Sequence, residues 1–323
     1  MKTRDTSLDA ICGILIIHMI IGHLFEWSSL TDTKYYLGQQ KIFFFFMPWF
    51  FFKSGMFYRE KEIKQNIETS YRRLIIPLIT FTLLGMPFYW ISLGMNHDTN
   101  IIHYLLNPLK SFIIKGNNVA NLPLWFLLSL FCVTVICGII FKYIKPIYIG
   151  FISFGLAAML NNINITIPHY IPNILLGISF YSIGHILQNH KINNSIYLIC
   201  IIIYISSVIF FPQYVDVRTN TLKYGNYLLW FITSIISCLA YNYLFKILQP
   251  YVPIFIINIG KDSLIYYATH WLLISYTILI LKSTTNIYNG WDIWLILLCV
   301  NIIILPSFVR FFNSSKLRFM IGK

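Results

Sequence analysis

Ten apolar stretches of roughly 17 to 23 residues recur along the chain, each long enough to cross a ~30 Å hydrocarbon layer as a helix. They fall near 8–27, 41–58, 74–94, 122–141, 146–160, 171–187, 195–211, 226–248, 263–282 and 292–312, the fifth being short. A backbone in lipid must satisfy its own polar groups, and a helix does so within one segment. The expected fold class is therefore all-α: a polytopic integral membrane helical bundle of about ten transmembrane helices. Of the 323 residues, 57% are hydrophobic and 11% charged, which excludes a soluble globule of this size. No repeat, linker or extramembrane domain interrupts the pattern, so residues 1–323 read as a single membrane-embedded domain. The first run is long and no small-x-small cleavage site follows it, as in a retained signal anchor.

The net charge of +13 does not indicate a nucleic-acid partner, because the basic residues lie at the ends of apolar runs instead of in one stripe. Their distribution predicts orientation. With the N-terminus inside, sixteen Lys and Arg fall in inner segments, from Lys2 and Arg4 through Lys191 to Lys323, against seven in outer ones. Both termini are expected to be cytoplasmic. The six cysteines (Cys12, Cys132, Cys137, Cys200, Cys238, Cys299) lie within apolar runs without metal-ligand or Cys-x-x-Cys spacing. They read as small packing residues, and no metal is expected.

Ionisable groups are costly in hydrocarbon and mark candidate sites. The first span carries Asp9, His18, His23 and Glu26. His23 reads as the reactive centre, against a histidine bonded to a backbone carbonyl or resting in the headgroup layer. Glu26 lies three residues later on the same helical face, where it can orient the imidazole or simply meet the interface.

The second span, Phe43 to Gly55, contains Pro48 and Lys53. A mid-helix proline frees the carbonyl four residues earlier, so this helix should be kinked or broken beside a cavity. Lys53 suits either an anion contact or snorkelling to the inner interface. Arg59 to Lys64 reads as a mixed-charge helix, followed by Tyr71-Arg72-Arg73-Leu74. Arg72 and Arg73 can hold phosphate by paired hydrogen bonds or serve as positive-inside anchors.

Trp125, in Leu122-Pro123-Leu124-Trp125, suits an interfacial belt. The loop near 95–121, with His97, Asp98 and His103, is polar enough to meet a hydrophilic partner, and Asn161 to Asn164 form a short outer loop. In Gly260-Lys261-Asp262-Ser263, Asp262 or Ser263 can cap the following helix, which carries His270 into the hydrocarbon. A transporter or flippase for a lipid-linked sugar would need similar polar cavities and broken helices.

The ordered set Asp9-x3-Gly13, Gly22-His23, Met47-Pro48-x-Phe50-Phe51-Phe52-x-Ser54-Gly55, Arg73-Leu74-x2-Pro77, Leu124-Trp125-Phe126-Leu127 and Gly260-Lys261-x-Ser263-Leu264 to His270 resembles the acyltransferase type 3 family. These are multi-pass bacterial membrane enzymes that place acyl groups, most often acetyl, on hydroxyls of cell-surface sugars. The resemblance implies an O-acetyltransferase of the bacterial cytoplasmic (inner) membrane, a cytoplasmic acyl-CoA donor such as acetyl-CoA, and a saccharide acceptor handled near the outer face. It implies a catalytic His23, with donor phosphates held by Arg72, Arg73 and Lys53. It leaves open direct transfer or an acyl-histidine intermediate. The family's basic residue eleven positions before this histidine falls on Cys12, its spaced arginine pair falls on Tyr71 and Arg73, and Asp262 replaces its commoner asparagine.

Overall fold

Asp5, extended, accepts hydrogen bonds from the Ser7 amide at 3.0 Å and hydroxyl at 2.6 Å, capping the first helix, α1 (Thr6–Trp27). The computed structural model describes residues 5–95, 107–108, 110–162, 167–188, 190, 192–284, 289–314 and 316–323. Lys2, Arg4, His97, Asp98, His103, Ile163, Asn164 and Lys191 of the sequence reading lie outside them. After α1 come α2 (Lys34–Ile42), α3 (Phe46–Met56) and α4 (Ile63–Ser70), which runs through a π-helical turn, Tyr71–Ile75, into α5 (Ile76–Met95). A 3-10 turn, Leu122–Leu124, leads into α6 (Trp125–Ile140), followed by α7 (Pro146–Asn162), α8 (Tyr170–Gln188) and α9 (Asn194–Ile209). Strands β1 (Tyr214–Asp216) and β2 (Thr221–Tyr224) precede α10 (Tyr227–Leu248), α11 (Ile254–Lys261), α12 (Ser263–Thr284) and α13 (Trp291–Asn313).

The predicted spans fall on helices except the second, 41–58, which takes in the end of α2, a break at 43–45 and the 11-residue α3, and among the described residues seven helices are long and apolar enough to cross a membrane. The protein is an all-α membrane protein carrying one short hairpin. Helices α7 and α9 are apolar but shorter. The hairpin is antiparallel, pairing Val215 with Leu222 and Asp216 with Thr221, and was not foreseen in the sequence. Its turn closes through Asp216, which accepts from the Arg218 amide at 3.1 Å and the Thr219 hydroxyl at 2.9 Å.

The chain divides into two compact units, one of Met1–Gln39, Arg72–Trp125 and Pro253–Lys323, the other of Gln40–Tyr71 and Phe126–Val252. In the first, α1 is buried along most of its length, from Leu8, Ala10 and Ile11 to Leu24 and Phe25. It crosses α11 where two glycines meet partner backbone. A Cβ on Gly13 would strike the Ile256 carbonyl, and one on Gly260 the Asp9 carbonyl. Small residues at such crossings let backbones approach closely in lipid. Gly260→Val should therefore overpack this crossing, at a cost of about 1–3 kcal/mol. Thermal unfolding in detergent should show a lowered midpoint, whereas Gly38→Val, with open space around its Cα, should leave it unmoved.

In the second unit the predicted break is present but displaced. The helix stops at Phe43–Phe45, and Pro48 takes the third position of α3, where a missing amide hydrogen costs nothing. The Phe44 carbonyl, four residues before Pro48, accepts the Trp230 indole N–H at 3.4 Å. The Trp49 indole donates to Asn242 at 2.9 Å, and Phe51 stacks edge-on against Phe126. Residues 59–62 are not helical, so the expected mixed-charge helix starts only at Ile63.

Candidate active site

His23 stands one turn before the end of α1, in the first unit. Its Nδ1 lies 2.7 Å from Oε2 of Glu26, the i,i+3 neighbour. A carboxylate only accepts, so Nδ1 carries a proton, and the uncharged form of the ring presents a lone pair on Nε2. Among the described residues Nε2 has no hydrogen-bond partner. The side chains are 22% and 43% exposed, so the pair is reachable rather than sealed. Tyr36, on α2, donates its hydroxyl to the other Glu26 oxygen at 3.3 Å, which fixes the carboxylate from the far side. This base–orienter arrangement is that of nucleophile-activating sites generally.

His270 of α12 completes the cluster. Its ring stacks on His23, with centroids 5.3 Å apart and planes 21° apart, and Trp271 meets His23 edge-on at 5.1 Å. The crossing of α1 with α11 sets this meeting. On α1 and α11 Asp9 faces Gly260 and Gly13 faces Ile256, so those two helices run antiparallel, and α12, beginning after the break at Asp262, runs back along α1 to bring His270 onto His23. The turn before α6 is fastened to α12 at the same level: Asn121 donates to the Ala268 carbonyl at 2.9 Å, and the Tyr267 hydroxyl to the Pro123 carbonyl.

The remaining candidates lie elsewhere. His18 is buried and takes the Gln39 amide on Nδ1 at 2.7 Å, while the same amide reaches the His18 carbonyl at 2.6 Å. Asp9 is buried in the first turns of α1, its carbonyl against Gly260, so it belongs to the helix crossing. Cys12 is buried beside it. Ser263 is the first residue of α12, half-buried. Asp262 does not cap that helix with its side chain; it accepts from Asn313 at 2.9 Å, with Lys323 4.0 Å away. Trp125 is buried at the start of α6 rather than turned outward as an interfacial residue. Arg72 and Arg73 are exposed on the π-helical turn, with the backbone of Gly322 packed on Arg72. Lys53 belongs to the second unit, where its ammonium sits over the Trp49 ring at 5.0 Å.

The sequence reading missed Tyr36 and Trp271. Trp271 adjoins His270 and could have been found by that adjacency, whereas Tyr36 sits in a polar stretch without any motif. No curated protein and no solved structure matches the chain. A family model described as an acyltransferase domain does match it, over residues 5–309, nearly the whole length. The chain therefore belongs to the type 3 acyltransferase family.

Proposed function

We propose that this acyltransferase moves an acetyl group from cytoplasmic acetyl-CoA to a hydroxyl of a cell-surface or lipid-linked saccharide, as an O-acetyltransferase of the bacterial cytoplasmic membrane. The observation that carries the reading is the 2.7 Å contact of His23 Nδ1 with Glu26, because it leaves Nε2 free to act as a base. A sugar hydroxyl is a poor nucleophile near neutral pH, so its proton must leave as its oxygen attacks the thioester carbonyl. Nε2 takes that proton, and Glu26 stabilises the imidazolium through Nδ1–H. Collapse of the tetrahedral intermediate expels the CoA sulfur, which recovers the proton from His23. The products are the sugar ester and free CoA.

Arg72 and Arg73 are the proposed contacts for the CoA phosphates, held at the cytoplasmic mouth on a π-helical turn. The chain is a single membrane-embedded domain of ten passes with both termini inside. Labelling of engineered cysteines should then find positions 65, 190 and 318 facing the cytoplasm and 33, 110 and 218 facing outward. Reversed labelling would remove the donor from the arginine side. The activity is tested on the surface polysaccharide of a deletion strain, where NMR ester signals should vanish and return on complementation. Ester signals that persist in the deletion would refute the reading.

A further inference from the structure

His270 is fully buried in α12, yet one of its nitrogens has no partner among the described residues. Its Nδ1 lies 3.1 Å from the Tyr266 carbonyl, which can only accept, so the proton sits on Nδ1 and the lone pair on Nε2. Nε2 is enclosed and without a hydrogen-bond partner among the described residues. A buried acceptor without a donor is destabilising and calls for a ligand or water to fill its place. The indole N–H of Trp27 is another enclosed polar group without a partner among the described residues. Trp271, the residue after His270, meets the Trp27 ring at 5.4 Å and the His23 ring at 5.1 Å.

His23 and His270 are thus stacked imidazoles in the same tautomer, each with Nδ1–H engaged and Nε2 unengaged. The geometry points to His270 as an acceptor-binding residue that sets specificity. Its Nε2 accepts a hydrogen bond from a second hydroxyl of the acyl acceptor, while His23 removes the proton from the hydroxyl that is acylated. Two accepting nitrogens, one indole donor and aromatic faces complement a polyol with neighbouring hydroxyls. Water or an isolated alcohol engages His23 alone. The inference rests on His23 as the base.

The test uses membranes holding the full-length protein and its own glycan acceptor, supplied with radiolabelled acetyl-CoA. Label entering glycan is divided by label released as acetate, giving a ratio of transfer to hydrolysis. In His270→Phe, which keeps a stacking ring without a lone pair, this ratio should fall about tenfold or more, as in sites built around a substrate hydroxyl. His270→Gln, whose amide oxygen can accept at similar reach, should restore it to within about threefold. A ratio does not depend on how much protein folds, so partial misfolding cannot imitate the effect. An unchanged ratio in the Phe variant, or a Gln variant as poor as Phe, overturns the assignment. His23→Ala is the separate control: both products should drop together, and their persistence would refute the base while leaving the His270 ratio to be read on its own.

Discussion

Alanine at position 23 is expected to lower acyl transfer by about 10²- to 10⁴-fold, the usual consequence of removing a general base. The protein should still reach the membrane and keep its melting midpoint, because the His23 side chain is partly exposed and fills no closed core. Glu26→Gln should fall between this variant and wild type. An amide oxygen can still accept from Nδ1, but it cannot offset the charge that the imidazole acquires. His18→Ala should do less to the rate, since His18 lies five residues away, about 140° around the helix, and is engaged by Gln39. The measurement is initial-rate label transfer from acetyl-CoA in membranes, normalised to protein level. A His23→Ala enzyme at full rate would move the base elsewhere, with His270 the first residue to examine.

The second large effect concerns the donor. Replacing both Arg72 and Arg73 by alanine should weaken acetyl-CoA binding by about tenfold to a hundredfold per lost contact, as a charge-assisted hydrogen bond contributes ~1.5 to 3 kcal/mol. The wild-type affinity should fall as salt rises, and the double variant should lose most of that dependence. Equilibrium binding of CoA to detergent-purified protein reads both. Equal affinity in the two proteins would return the arginines to the role of orientation signals.

The span pattern was legible because hydrocarbon thickness fixes helix length, and a run of twenty apolar residues has few other uses. The histidine–carboxylate pair was legible for a similar reason: three residues of spacing put His23 and Glu26 on one face before any fold is known. His270 could be marked as a buried ionisable group, but its stacking on His23 joins positions 247 apart, and no local rule reaches that far. Tyr36 was invisible because its role depends only on where α2 docks. Pro48 misled in position, though not in kind, since a proline is tolerated in a first turn and the helix therefore breaks ahead of it. Trp125 misled because the same aromatic residue suits a lipid interface and a packed interior, and only its burial decides.

The first unit is assembled from three separated pieces of chain, and its α1–α11 crossing joins Gly13 to Gly260. During synthesis, α1 emerges about 240 residues ahead of its partner, a delay of roughly 12 to 50 s at 5–20 residues per second. Throughout that interval a helix bearing Asp9, His18 and His23 has no α11 or α12 to pack against. Such a helix has to be sheltered by the insertion machinery or by transient neighbours. Ribosomes that stall before residue 253 would leave it as a target for membrane quality control, so the helix that carries His23 stays exposed until nearly the whole described chain has been made.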